Sequence, residues 1–413
     1  MLTFDYVLHH PRFLEFSAPD TDSAVSRATR SPVLPHKIHD SRRNGATTQS
    51  SHPFALAYNP ALDGLRGVAI LLVILSHAHA PLFDGAFYGV DLFFVLSGFL
   101  ITTLLLQELQ RNGRLDYWRF YRRRLWRLMP ALALLLLAYC VFAPMLWPDL
   151  TDVYSDALVS LLYLADYGIA FFDSPGTLLH MWSLSVEEHF YLVWPPLLAV
   201  LARTAPRGGL WRRIAGLLLL AWAWRVAWVA QGQQFYEIFF RFDTRATGLL
   251  AGSLLAALVL EQPAWLEALR RRLVHFMWVV LAVPLLMAQA WDDMNAMVWG
   301  MTVVECAAAV VLLAILQRRG AVYEMLSAPV LTVLGRLSYG IYLWHYPVVR
   351  YLRADLPWPA VVLLGLAISA ALAALTYYTI ERWALRRRDA RPAPRAARPR
   401  PTGAEGMQRP LSQ

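Results

Sequence analysis

Ionisable side chains inside long apolar runs are the residues of this chain that could do chemistry. Burying a charge in hydrocarbon is costly, so each such group is a functional candidate. In the first run, Arg66 is followed eleven residues later by His77. Eleven steps of 100° return to within about 20° of the start, so the two share a helix face. They stand about 16 Å apart along the axis. An arginine there can hold a phosphate or a developing negative charge. A histidine, whose ordinary pKa lies near neutrality, is suited to general-base work. The structural alternative is a snorkelling arginine and a histidine bonded to a neighbouring helix.

Four further clusters follow. Asp91 opens the run Gly89-Val90-Asp91-Leu92-Phe93-Phe94-Val95-Leu96-Ser97-Gly98-Phe99, where Ser97 and Gly98 read as close-packing residues. Arg119, Arg122, Arg123, Arg124 and Arg127 form an aromatic-interleaved basic stretch ending at Pro130. Topological anchoring accounts for part of its charge, and its density suits a phosphate-rich ligand. His180, Glu187 and Tyr191 fall on one helical stripe of the block that contains Ser183. Ser338, Tyr342 and His345 share a face near the C-terminal end. Both stripes read equally as site or as polar glue between helices.

These groups must be positioned by membrane helices. The 413 residues are 57% hydrophobic and only 16% charged, against about 25% charged in soluble domains. Apolar runs fall at about 66–83, 86–106, 129–147, 178–200, 210–230, 246–260, 273–291, 297–316, 330–349 and 359–380. The expected fold is therefore all-α, a polytopic bundle of about ten transmembrane helices. A weaker stretch, 155–172, is broken by Asp156 and Asp166 and reads as an interfacial helix outside the membrane. Residues 1–57 and 389–413 read as disordered cytoplasmic tails flanking a transmembrane domain over 58–388.

Charge placement gives orientation. With the N-terminus inside, sixteen loop arginines fall inside and four outside, so both termini are expected in the cytoplasm. The net charge of +9 is thereby assigned to cytoplasmic loops rather than to nucleic acid. Lys37 is the only lysine, which excludes a P-loop. Cys140 and Cys306 sit in apolar runs, offer neither disulfide framework nor metal site, and read as buried thiols.

The pieces together resemble the acyltransferase 3 family of membrane O-acyltransferases. They are Arg66 with ten residues before His77, the Gly89-to-Phe99 segment, the arginine stretch ending at Pro130, and Trp182-Ser183-Leu184-Ser185-Val186-Glu187-Glu188. Gly335 to Pro347 resembles the family's late segment. The resemblance implies ten helices and transfer of an acyl group, usually acetyl from acetyl-CoA, onto an extracytoplasmic or lipid-linked glycan. Some members act on antibiotics or lipids. Glycan-modifying members often add an extracytoplasmic esterase-like domain, which is not expected in this chain, ending as it does soon after the last run. The His-x4-Asp spacing of His79 and Asp84, a mark of glycerolipid acyltransferases, is interrupted by Pro81 and reads as coincidence.

The expected enzyme sits in the bacterial inner membrane and needs no metal or cofactor beyond acyl-CoA as co-substrate. Arg122, Arg123, Arg124 and Arg127 are expected to meet the CoA phosphates, with Arg66 nearby. His77 takes the acceptor's proton, and Glu187 or Asp91 orients it or binds sugar hydroxyls. Asp91, Ser183, Tyr342 and His345 are the candidates for acceptor binding or structural support. A transporter or flippase of a lipid-linked sugar is the reading from another class, in which the same groups are relay residues. No internal inverted repeat is visible to favour it.

Overall fold

A computed structural model describes residues 58–389 apart from 82, 207 and 274–292. The described chain is helical. Its first helix, α1 (Pro60–His77), starts where Asn59 accepts a hydrogen bond from the Ala61 amide and Pro60 supplies the fixed φ of a first turn. After a 3₁₀ turn at Asp84–Tyr88 comes α2 (Gly89–Asn112), stopped by Gly113 at φ 69°. Next is α3 (Tyr117–Leu146), whose N-cap Asp116 accepts from the Arg119 amide. Short α4 (Val153–Leu161) and α5 (Ala165–Phe172) follow.

The chain continues through α6 (Met181–Thr204), α7 (Leu210–Ala230), α8 (Phe235–Phe239), α9 (Phe242–Glu261) and α10 (Ala264–Leu273). A π turn at Ala296–Gly300 leads into α11 (Met301–Ile315). The last elements are α12 (Ala321–Leu326), α13 (Pro329–Leu352), α14 (Trp358–Thr376) and, past a second π turn, α15 (Arg382–Asp389).

Seven stretches among the described residues are long and apolar enough to cross a membrane: Pro60–His77, Gly85–Asn112, Tyr117–Leu146, Leu210–Ala230, Phe235–Glu261, Ala296–Ile315 and Trp358–Arg387. The 24-residue helices α6 and α13 are long enough as well. Their apolar character is diluted by the polar stripes that carry the candidate site. The run expected at 273–291 and both tails lie outside the described residues.

Two pairings set the bundle. Helix α1 lies along α13, and α2 lies along α9. In the first, a Cβ at Gly335 would stand 1.7 Å from the Asp63 carbonyl oxygen. In the second, a Cβ at Gly98 would stand 1.9 Å from the Leu249 carbonyl oxygen, and one at Gly252 1.9 Å from that of Val95. Only hydrogen fits there, so the backbones touch.

His77 is the last residue of α1, eleven residues along that helix from Arg66 as their spacing implies. Three expectations are corrected. The arginine stretch is no loop: it forms the first three turns of α3, which begins at Tyr117, twelve residues before the apolar run. The 155–172 stretch is no single interfacial helix but a helical hairpin, with Tyr163 at φ 53° in its tip. Its acids turn toward the bundle, where Asp156 accepts from Ser174 and Thr177 and Asp166 from His189, while Tyr154, Leu158, Leu162 and Phe172 face outward. Cys140 is half-buried and Cys306 exposed, because an apolar run faces lipid as readily as core.

Candidate functional site

Arg66, one turn after Asp63 on α1, is buried and donates from Nη1 to Asp63 Oδ1 at 3.1 Å. Its Nη2 has no protein partner. A buried guanidinium N–H without an acceptor is a costly arrangement. This one borders a cavity of about 50 Å³, several times what one water requires.

The cavity wall comes from α2, α3, α6, α13 and the tip of the α4–α5 hairpin. Helix α6 contributes Ser183, Glu187, Glu188 and Tyr191, and α3 contributes Arg124. Glu187 accepts from Ser97 at 2.8 Å and from the Tyr191 hydroxyl at 3.2 Å. Arg124 donates from Nη2 to Glu188 at 2.8 Å, and its guanidinium lies 3.2 Å over the Tyr191 ring. Ser183 and Tyr342 meet hydroxyl to hydroxyl at 2.6 Å. Both hydroxyls also reach the His180 carbonyl, Tyr342 at 3.0 Å and Ser183 at 3.4 Å, so either can donate to the other.

Behind Tyr342 stand three imidazoles. His345 Nδ1 is 2.6 Å from the Tyr342 carbonyl and His77 Nδ1 is 2.9 Å from the Val73 carbonyl. A carbonyl only accepts, so both rings carry their proton on Nδ1. His345 Nε2 then accepts from His77 Nδ1 at 3.3 Å. That fixes His77 with its basic lone pair on Nε2. His180 is oriented oppositely, with Nε2 donating to the Leu343 carbonyl at 3.2 Å. Tyr346 stacks on His180 and meets His77 edge-on, both at 5.0 Å between ring centroids.

Of the residues singled out from sequence, Arg66, Arg124, Ser183, Glu187 and Tyr342 line one cavity. His77 and His345 do not line it; they touch each other on the far side of Tyr342. Glu187 is committed to Ser97 and Tyr191, so it does not orient His77 as expected. Arg122, Arg123 and Arg127 are half-buried on α3 and do not border the cavity.

Of the two places expected for Asp91, acceptor binding or structural support, its contacts fit the second. It pairs with Arg245 at 3.0 Å, each about 1% exposed, inside an aromatic cage of Phe94, Trp182 and Phe239. Beside it, Arg225 bonds Thr247 and Thr302 and faces Glu305 at 3.8 Å. Neither Arg225 nor Arg245 stands out in the sequence. There Ser97 reads as packing, though it donates to Glu187. No spacing rule links these partners, since they lie on different helices.

The arrangement holds an acidic and hydroxyl-lined cavity with one unsatisfied cationic donor at one end and a polarised imidazole pair beyond the other. Such a site can bind a polar carbonyl or phosphate at Arg66 and accept a proton at His77.

The acyltransferase-domain family matches the chain over residues 59–378. The putative peptidoglycan O-acetyltransferase YrhL of Bacillus subtilis (strain 168) is 32% identical over 352 residues, 79% of this chain and 54% of that protein. The peptidoglycan O-acetyltransferase OatA of Listeria monocytogenes is 30% identical over 311 residues, 72% of this chain and 50% of that protein. The O-acetyltransferase OatA of Staphylococcus aureus (strain NCTC 8325 / PS 47) is 30% identical over 347 residues, covering 78% and 57%. The chain thus spans about half the length of these curated relatives. No solved structure matches it.

Proposed function

From the premise that the chain belongs to the acyltransferase family, we propose that it is a membrane O-acetyltransferase moving an acetyl group from acetyl-CoA to a glycan hydroxyl. Peptidoglycan is the acceptor that two similar proteins carry in their names. The observation that carries the reading is the unpartnered Nη2 of Arg66 at the cavity wall, with the Ser183–Tyr342 pair leading away from it toward His345 and His77.

In the proposed reaction the arginines of α3 meet the CoA phosphates, Arg122 and Arg123 at the surface and Arg124 where the helix turns inward. The thioester reaches the cavity, and its carbonyl oxygen accepts from Arg66 Nη2. The acceptor approaches from the His77 end. His77 Nε2 takes the proton from its hydroxyl, and the oxygen attacks the carbonyl carbon. The carbon–sulfur bond then breaks, and the leaving thiolate recovers the proton. Tyr342 and Ser183 lie between the two ends, so the reaction requires that pair to part and let the hydroxyl at His77 meet the carbonyl at Arg66. No cofactor beyond acetyl-CoA enters this scheme.

The arginine asymmetry supports an orientation in which the arginine-rich start of α3 and both termini lie on the cytoplasmic side of a bacterial inner membrane. Donor and acceptor would then reach the site from opposite sides. The test is transfer of labelled acetyl from acetyl-CoA to isolated peptidoglycan fragments by the purified protein in vesicles. Hydrolysis of acetyl-CoA with no label on any glycan would sink the acceptor assignment, and no turnover at all would sink the reaction.

A further inference from the structure

A second cavity, about 270 Å³ and more than five times the volume of the first, lies between α3, α6 and the tip of the α4–α5 hairpin. It shares Arg124, Glu188, Tyr191 and Tyr163 with the Arg66 cavity, so one wall of side chains separates the two. Its rim is apolar and outward-facing: Leu125, Leu162 and Leu192 are 57, 56 and 62% exposed. Beside that rim the lining carries Arg124, Glu188 and His189, and His189, itself 22% exposed, stands with Nδ1 3.0 Å from the Oδ2 of fully buried Asp166.

The Asp166–His189 pair has no part in the transfer described above. The carboxylate fixes the imidazole with its proton on Nδ1, and Tyr167 and Phe242 hold the ring from two directions, each at 5.8 Å. Nε2 is left as the ring's only uncommitted hydrogen-bonding atom. In the neutral ring it accepts, and in the protonated ring it donates. A hydroxyl satisfies both states; a head group without O–H or N–H donors satisfies only the second.

We propose that this cleft binds a membrane amphiphile with an aliphatic chain and a hydroxyl-bearing head. The chain lies against Leu125, Leu162 and Leu192, and a head-group hydroxyl bonds His189 Nε2. Outward leucines beside an uncommitted imidazole nitrogen match the two parts of such a molecule. The cleft rests on the chain being membrane-embedded and not on the acetyl-transfer reading, so the two can fail separately.

The experiment uses the full chain in nanodiscs of phosphatidylethanolamine and phosphatidylglycerol. The probe is decyl maltoside carrying a diazirine in mid-chain, and labelled peptides are identified by mass spectrometry. Label is expected in peptides containing Leu125 and Leu192, well above the peptide containing Leu363 on α14, which is also bilayer-exposed at 69%. Unlabelled decyl maltoside should compete about tenfold better than decylphosphocholine, the worth of one hydrogen bond to a sequestered partner. Maltose alone should not compete.

Leu192→Trp, at an exposed position that tolerates a larger side chain, should remove most of the cleft labelling while leaving Leu363 unchanged. His189→Phe should keep chain binding and lose the preference for the maltoside head. Equal labelling of Leu363 and the cleft peptides would overturn the proposal. So would equal competition by decylphosphocholine in the parent protein, or full labelling after Leu192→Trp.

Discussion

His345 Nε2 lies 3.3 Å from His77 Nδ1, two imidazoles brought together from residues 268 apart in the chain. Each donates its Nδ1 proton to a backbone carbonyl of its own helix, so the contact fixes tautomers as well as positions. In the proposed reaction His77 is the base and His345 its positioning residue. His77→Ala should lower acetyl transfer by about 10²–10⁴, the usual worth of a general base. His345→Phe should cost roughly 10–100-fold, as loss of an orienting partner of a reactive imidazole does. His345→Gln, which restores an acceptor toward His77, should recover most of that loss. The matched control is His79→Ala: His79 is exposed and bonds Arg353 at 2.7 Å. Turnover per folded molecule is the measurement. A dead His79 variant, or a Gln variant no better than Phe, would remove the assignment.

Arg66 divides its guanidinium between Asp63 and the cavity. Lysine can serve one of these but lacks the planar fork for both. Arg66→Lys should lower kcat/KM by about 10²–10³, comparable to removing one oxyanion-stabilising donor. Its melting temperature should stay near that of the parent. Full activity in the Lys variant would confine Arg66 to its ion pair with Asp63.

The α3 arginines should separate into two classes. Arg122→Gln with Arg123→Gln should raise the KM for acetyl-CoA and leave kcat near parental. Arg124→Gln strips Glu188 of its partner and alters the wall between two cavities. That variant should lose kcat and thermal stability together. Steady-state kinetics with varied acetyl-CoA makes the comparison. Parental KM in the double variant would reduce those two arginines to topological anchors.

Asp91 and Arg245 form a pair closed off from water. Removing one partner strands the other charge, at a cost of about 3–5 kcal/mol, whereas replacing both with apolar residues of similar size is far milder. Asp91→Leu alone should lower the melting temperature and yield of the purified protein. Asp91→Leu with Arg245→Met should recover most of both. If the double variant melts normally yet transfers no acetyl group, the pair has a role in the reaction after all.

Topology is checked with reporter fusions. Fusions in the Gly113–Asp116 connection and after Arg271 should read cytoplasmic, and fusions near Asp149 and Gly232 external. An external signal from the Gly113–Asp116 fusion would invert the proposed sides for donor and acceptor.

The sequence alone determined whatever follows from the order of residues along one helix. Apolar runs of span length make a membrane protein, and the separated motifs from Arg66 to Pro347 point to the family that matches residues 59–378. Spacing put Arg66 and His77 on α1, and Ser338, Tyr342 and His345 on one face of α13, where they are found. Tertiary structure decided which of these groups meet. Ser97 with Glu187, Ser183 with Tyr342, His77 with His345 and Asp91 with Arg245 are separated by 90, 159, 268 and 154 residues. The same tertiary structure folded the 155–172 stretch into a hairpin whose Asp156 and Asp166 find donors at Thr177 and His189. The physical reason is that helical periodicity fixes only a residue's angle about its own axis. Which neighbour it faces depends on the rotation and depth of the other helix. Those are set where backbones touch, at Gly98 against Leu249 and Gly335 against Asp63.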